Sequence, residues 1–389
     1  MKILFCVKAG IGNQIQQTHI YFDLLYHYGE VDVAVYEYGE NHSIYFKEIA
    51  RATGNRGMWF DLKKGKPIWW NDRTYDGVIS CLSVPFKGIP VIFQQTGEHI
   101  GNEVAYYENI YRDTDISKGE HLPLDWSDIR GDMMNKNIPE YDVLICNGSV
   151  NSYDWIRKRY QRHNEIIEKL QSRYSVGCVG LANEYVYPAD DLTEQGLMRT
   201  FDIISKCRLL ISNDTGLMHF ASVIGVPCIA LFTATNLVKN INREFHKNTV
   251  IFKPDVECFP CQGINWCQTE RWKMCGNWHC GEYESKNIVE IAEAMLLGIK
   301  VPKENIGVCF SKVVPVIERF TPDIKQQKII SETAIESALR YSKKGHIEKP
   351  DDWRYIPEKL IDRMWFENGC YVVRLKSGRI WRWEKGKKK

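Results

Sequence analysis

Residues 209–236 read LLISNDTGLMHFASVIGVPCIALFTATN, and the fold turns on how this stretch is read. Leu209-Leu210-Ile211-Ser212 is a short apolar run of the kind a buried strand requires. Asn213-Asp214-Thr215-Gly216 brings turn and helix-cap chemistry. LMHFASVIG continues as a helix that ends at Gly225, and Pro227 bars its extension. CIALF then forms a second buried strand. The result is a βαβ unit with small polar residues at the carboxyl end of its first strand. In a parallel sheet that edge receives ligands, and a helix N-terminus there offers free N–H groups to an anion. A diphosphate is the natural guest.

The neighbouring sequence repeats the βα pattern, as a doubly wound domain requires. Upstream lie YDVLICNGSV (strand and polar turn), the amphipathic SYDWIRKRYQRHNEIIEKLQSRY (one helix over 152–174), SVGCVGL (strand) and TEQGLMRTFDIISKC (loop end and helix). Further back, Met1–Val7 reads as strand one. A glycine turn over 8–13 follows, then a helix closed by Gly29, then strand VDVAVYEY. YDGVISCL and IPVIFQQ are further short apolar runs, and the tryptophan-rich GMWFDLKKGKPIWWNDRTYDG packs a loop or stacks on a sugar. The expected fold class is α/β with two Rossmann-like domains, 1–139 and 140–300, and a small basic extension, 301–389.

Asp214-Thr215-Gly216-Leu217-Met218-His219, with Ala221, Gly225, Pro227 and the Leu231–Thr235 run, resembles the nucleotide-sugar motif of glycosyltransferase family 9. These are the bacterial heptosyltransferases, of GT-B fold. The resemblance covers residues 1 to about 300 and implies inverting, metal-independent sugar transfer from a nucleotide-diphosphate donor. It implies donor contacts at Gly12, Lys158, Asp214, Thr215, Gly216, Met218, His219 and Thr235. Lys158, in WIRKRY, matches the family's phosphate-binding lysine, with Tyr160 in place of a tryptophan. Thr233 stands where the family usually has glycine. At the position of the family's proposed acidic base the chain has Asn13, and an amide cannot accept a proton at neutral pH. Asn13 can position an acceptor or cap a helix. Glu98 is the preferred substitute base, ahead of His19, Asp23 and His99.

Cys258, Cys261, Cys267, Cys275, His279 and Cys280 crowd into 23 residues, and the spacing admits a structural zinc, packed thiols or a disulfide. Catalysis itself calls for no cofactor. The other cysteines mostly occupy apolar strands, and the chain opens on a strand and not a secretion signal, so a reducing, cytoplasmic setting is expected. No apolar run is long enough for a membrane span.

Charge is uneven. Residues 301–389 hold 20 Lys+Arg against 12 Asp+Glu, or +8, while residues 1–140 hold 14 against 19, or −5. The extension contains the probable hairpin CYVVRLKSGRIWRW, with Arg374, Arg379, Arg382, Trp381 and Trp383. That composition fits contact with a nucleic acid or an anionic membrane surface as well as a solvated tail. Three readings stay open. One is transfer to lipopolysaccharide or another glycan, lipid-linked or not. Another is a phage-type transferase acting on a DNA acceptor recruited by the tail. The last is a non-catalytic binding protein.

Overall fold

Mostly apolar runs of four to eight residues, many of them followed by a polar turn and a helix, assemble into two parallel sheets. The computed structural model describes residues 1–8, 10–37, 44–55, 57–61, 75–82, 86, 88–95, 101–135, 137–148, 155–263, 279–307, 361–367, 370–375, 380–384 and 387–388. The first half runs β1 (Lys2–Val7), α1 (Ile11–Gln16), α2 (Thr18–Tyr28), β2 (Glu30–Glu37), α3 (Ile44–Ala52), β3 (Gly57–Asp61), β4 (Gly77–Ser80), β5 (Val91–Gln94), α4 (Glu103–Glu108) and α5 (Trp126–Arg130). Its sheet order is β3-β2-β1-β4-β5, with every pairing parallel.

The second half runs β6 (Val143–Cys146), α6 (His163–Leu170), β7 (Val176–Gly180), β8 (Asp190–Thr193), α7 (Leu197–Ser205), β9 (Leu209–Asn213), α8 (Gly216–Val223), β10 (Cys228–Leu231), α9 (Leu237–Asn240), β11 (Thr249–Pro254), α10 (Lys286–Leu296) and β12 (Glu304–Gly307). Its seven parallel strands are ordered β12-β11-β10-β9-β6-β7-β8. Strand order reverses between β1 and β4 in one sheet and between β6 and β9 in the other. Open α/β sheets bind ligands outside the carboxyl ends of strands at such reversals. This is the GT-B arrangement.

Both sheets belong to one compact unit, Met1–Cys267 with Trp278–Lys312. One core cluster serves both halves: Tyr45 and Trp126 from the first meet Phe201 and Phe220 from the second, Trp126 and Phe220 with ring centroids 4.8 Å apart. Asp202, buried at the edge of this seam, accepts from Trp126 Nε1 at 3.0 Å and from Arg130 Nε at 2.8 Å. The second unit, Gln268–Asn277 with Val313–Lys389, contains an antiparallel sheet, β13 (Ile361–Glu367), β14 (Cys370–Leu375), β15 (Ile380–Glu384) and β16 (Lys387–Lys388). Arg374 pairs with Ile380 across β14 and β15, the register of the expected hairpin.

Four elements depart from the pattern read in the sequence. The first helix is broken at Gln17, whose side chain accepts from Lys8 N–H and donates to the Asn13 carbonyl, while Thr18 Oγ1 bonds the Ile15 carbonyl at 2.8 Å. The expected helix over 152–174 is α-helical only at His163–Leu170, and Lys158 lies on a 3₁₀ turn, Ile156–Lys158. Tyr160 draws the chain out of helical geometry, its N–H donating to Asn213 Oδ1 at 3.0 Å and its hydroxyl to the Tyr283 carbonyl at 2.7 Å. Strands β8 and β12 are short edge strands without a clear apolar alternation, and β12 lies beyond residue 300. The bulk of the tryptophan-rich loop (62–74), Glu98, His99, Cys267, Cys275, the turn at 376–378 and the helix-like stretch at 329–345 lie outside the described residues. Among the described residues no helix is long and apolar enough to cross a membrane.

Candidate active site

The Asn213–Gly216 turn carries one buried carboxylate, and the surrounding chain is arranged on it. Asp214 is 2% exposed. Its Oδ2 accepts from Lys158 Nζ at 3.2 Å and from Asn240 Nδ2 at 2.8 Å. Lys158 also donates to the Asp214 carbonyl at 3.1 Å, and its ammonium lies 4.8 Å from the Trp155 ring centroid. Burial pushes the Asp214 carboxyl up, but Lys158, His219 and the Thr235 hydroxyl hold it below the usual range. The 3₁₀ turn, the strand end and α9 are thus tied at one anion. Lys158 keeps about a fifth of its side chain exposed, enough to meet a guest.

Helix α8 begins at this turn with no side-chain hydrogen bond capping its N-terminus. Thr215, the N-cap residue, points its hydroxyl 3.2 Å from Ser212 Oγ and 3.8 Å from Cys146 Sγ. The first turn of α8 therefore keeps N–H groups for an anion, the role helix starts take at phosphate sites. Packed against it is the start of α1. A Cβ on Gly12 would lie 3.2 Å from His219 Cδ2, and one on Gly216 would lie 3.3 Å from Gly12 N. Glycine at both positions lets the two helix starts approach this closely without either neighbour shifting. The two strand-order reversals are thereby brought face to face.

On the first half, Tyr107 donates its hydroxyl to Asn13 Oδ1 at 2.7 Å. Glu103, in the first turn of α4, is 3.4 Å from Lys239 Nζ of α9. Burial pushes the Lys239 ammonium down while Glu103 pulls it back up. Lys8, just before the glycine turn, shows the same balance between burial and Glu103. His219 Nδ1 and His246 Nε2 are 2.8 Å apart, and burial drives both imidazoles below their ordinary value.

Residues 186–271 match the model of glycosyltransferase family 9 (heptosyltransferase). Over these residues the chain matches a family 9 glycosyltransferase domain. Among solved structures it is similar to E. coli ADP-heptose LPS heptosyltransferase II, at 15% identity and a TM-score of 0.54, over 77% of this chain and 99% of that one. It is also similar to the family 9 glycosyltransferase of Veillonella parvula, at 13% identity and a TM-score of 0.51, over 76% and 97%. At these identities the likeness speaks for the fold alone. Nothing among the curated proteins matches the chain in sequence.

Within the family 9 frame, the structure brings together Gly12, Lys158, Asp214, Thr215, Gly216, His219 and Thr235. Met218 is fully buried in the shared core, so it contributes backbone rather than a side chain to the turn. Asn13 stands at the mouth of the glycine turn with its side-chain amide oxygen engaged by Tyr107. Sequence reading missed Glu103, Lys239, Asn240 and His246, whose role appears only when α4 and α9 meet across the seam. Of the cysteines, Cys261 is buried with its thiol 3.5 Å from the Cys258 carbonyl, and Cys280 is buried. Both Cys261 and Gln262 donate backbone N–H to the Ala234 carbonyl at 3.0 Å, so this segment backs the Thr233–Asn236 loop. Cys258 and Cys261 remain candidate zinc ligands on spacing.

Proposed function

We propose that this glycosyltransferase moves a sugar from a nucleotide-diphosphate donor to a hydroxyl on a glycan or lipid-linked glycan, with inversion. The observation that carries the donor reading is the uncapped start of α8 beside the Lys158 ammonium. The diphosphate lies on those N–H groups, and Lys158 neutralises charge as the nucleotide leaves, the kind of preorganised electrostatic help that dominates such reactions. ADP is the first nucleotide to try, since the similar E. coli enzyme is described as acting with ADP-heptose. Nucleotide at ~100-fold its dissociation constant stabilises the fold by about 2.7 kcal/mol, so a thermal-shift screen over nucleoside diphosphates should single out one base. No shift with any of them overturns the donor site.

The acceptor base is a carboxylate on the segment after β5. Glu103 faces Lys8 within the first half and Lys239 across the seam, and Glu98 lies five residues earlier. Loss of the true base costs on the order of 10²-fold or more in kcat. If Glu103→Gln keeps near-normal kcat and Glu98→Gln does not, the base is Glu98 and Glu103 serves the seam. Donor binding without turnover in the parent chain, whatever the acceptor, would place it among non-catalytic binders. The basic extension is read as a peripheral contact for an anionic acceptor. A salt-dependent gel shift lost on deleting 370–389 would move the acceptor to nucleic acid.

A further inference from the structure

The first half holds a second cluster of ionisable side chains, one that sugar transfer does not use. His19 comes from α2, Glu108 ends α4, and His121 lies on the segment leading from Arg112 to α5. Glu108 Oε1 is 3.1 Å from His19 Nε2 and 2.8 Å from His121 Nε2. One ligand atom from each residue falls within 4.8 Å of the other two. The imidazole planes cross at 55° with centroids 4.2 Å apart, so the rings converge on the carboxylate and do not stack. The three side chains are no more than 10% exposed.

Hydrogen bonding in the cluster is incomplete. Among the described residues, both ring nitrogens of His19, both of His121, and Glu108 Oε1 complete no hydrogen bond. Buried polar atoms are almost always paired, and a concentration of orphans at one spot points to a missing ion or water. Glu108's other oxygen is 2.7 Å from Lys118 Nζ, which turns Oε1 toward the imidazoles, as outer partners orient metal-binding carboxylates. Asp23 of α2 accepts from the Gly119 N–H at 3.0 Å and from the Tyr111 hydroxyl, tying the same segment back onto the helix. The three donors are held in place by these neighbours.

We propose that His19, Glu108 and His121 bind a divalent transition-metal ion of the zinc class. Two imidazoles and a carboxylate are a donor set that such ions take, with a fourth position left for water. The placement assigns the ion a clamping role. Phe245, from the second half, sets its ring edge-on to His19 and His121, with centroids 6.2 and 5.7 Å away. The clamped segment then donates Leu124 N–H to the Val223 carbonyl at the end of α8, at 2.7 Å. The ion thus fixes where the first half grips the helix whose other end binds the donor.

The test uses the full chain and zinc or cobalt alone. In a Cys258→Ser/Cys261→Ser background, zinc loading and desalting should leave one equivalent per chain by elemental analysis, and Tm should rise on loading. His19→Gln/His121→Gln should weaken zinc affinity at least about tenfold, and Glu108→Gln should do the same if the double variant fails to fold. In the parent chain, cobalt should give visible d–d bands that these variants lose. Failure of the Cys258→Ser/Cys261→Ser background to retain zinc, together with cobalt bands that are purely thiolate charge transfer, overturns the proposal. So does retained zinc unaffected by both sets of variants.

Discussion

Two buried carboxylates lie on the seam between the halves, and each is approached by two or more basic or donor groups. Asp214 has Lys158 and Asn240 at 3.2 and 2.8 Å, and Glu108 has His19, His121 and Lys118 at 3.1, 2.8 and 2.7 Å. At Asp214 the contacts are completed hydrogen bonds, whereas at Glu108 the imidazole contacts are not. A site that receives an anion must hold its cation and helix start in place beforehand, so its scaffold is already satisfied. A site that receives a cation has donors turned inward on one another until the ion arrives. Under the two proposals above, this difference in how the two carboxylates are engaged separates the donor site from the metal site.

The largest expected effect tests the first half of that contrast. Asp214→Ala removes the carboxylate that Lys158 and Asn240 share, leaving them the residue-214 carbonyl and Gln262 Oε1, and should cost about 3 kcal/mol or more in urea unfolding, the range for breaking a buried pair. Glu108→Ala in metal-free protein should cost less, because the Lys118 partner is two-fifths exposed and its pairing is screened by solvent. Equal costs would break the comparison. Next comes a pH effect on the turn that carries Lys158. His163 is buried with Nδ1 at 2.9 Å from the Tyr160 carbonyl, and burial pushes its imidazole down to about 4. The unfolded chain takes up that proton near pH 6.5 and the folded chain does not. Stability is thus intact above about 6.5 and falls as pH drops toward 4, by about 3 kcal/mol for this group. His163→Asn should flatten the dependence of Tm on pH across that window. An unchanged slope would assign the acid sensitivity to other groups, His219 and His246 among them.

A smaller effect concerns catalysis. Lys158→Ala should lower turnover at least about tenfold, roughly 1.4 kcal/mol of barrier, with zinc binding at the histidine cluster untouched. Normal turnover would remove Lys158 from the phosphate site, and a parallel loss of zinc would show that the two clusters are one.

The donor side of this molecule was legible because its information is local. A buried strand, a polar turn and a glycine-started helix within Leu209–Val223 can be read from neighbouring letters, and Asp214, Thr215 and Gly216 follow from them. Lys158 was legible as a residue but not as geometry, since the 3₁₀ turn depends on Tyr160 reaching Asn213 and Tyr283, more than fifty residues away. Glu103 with Lys239, and His19 with Glu108 and His121, left no local trace. His19 stood out only as a candidate base on the first helix, and nothing local singles out Glu108 or His121. Their meeting is set by how α2, α4 and the segment before α5 pack, and no spacing rule links positions 19, 108 and 121.

The smallest effect sharpens the comparison at the place where the seam is bridged without charge. Asn102 Oδ1 caps α4 by accepting from Ala105 N–H at 3.2 Å, while its amide donates to the Val238 and Ile241 carbonyls at 3.1 and 2.8 Å at the end of α9. One side chain thus satisfies the start of the helix that ends in Glu108 and the end of the helix that supplies Asn240 to Asp214. Asn102→Ala should cost about 1 kcal/mol, the usual value of an N-cap. Because α4 and α9 lead to the two clusters, the variant should weaken nucleotide binding and zinc binding together and by a similar small factor. Asn102→Asp keeps the cap oxygen but sets a carboxylate against two carbonyls, so it should restore α4 while leaving the α9 side unpaired. If that variant recovers zinc affinity but not nucleotide affinity, the two clusters are independent sites sharing one bridge. If it recovers both, the α9 contacts contribute nothing measurable, and the donor cluster stands on Asp214 and Lys158 alone.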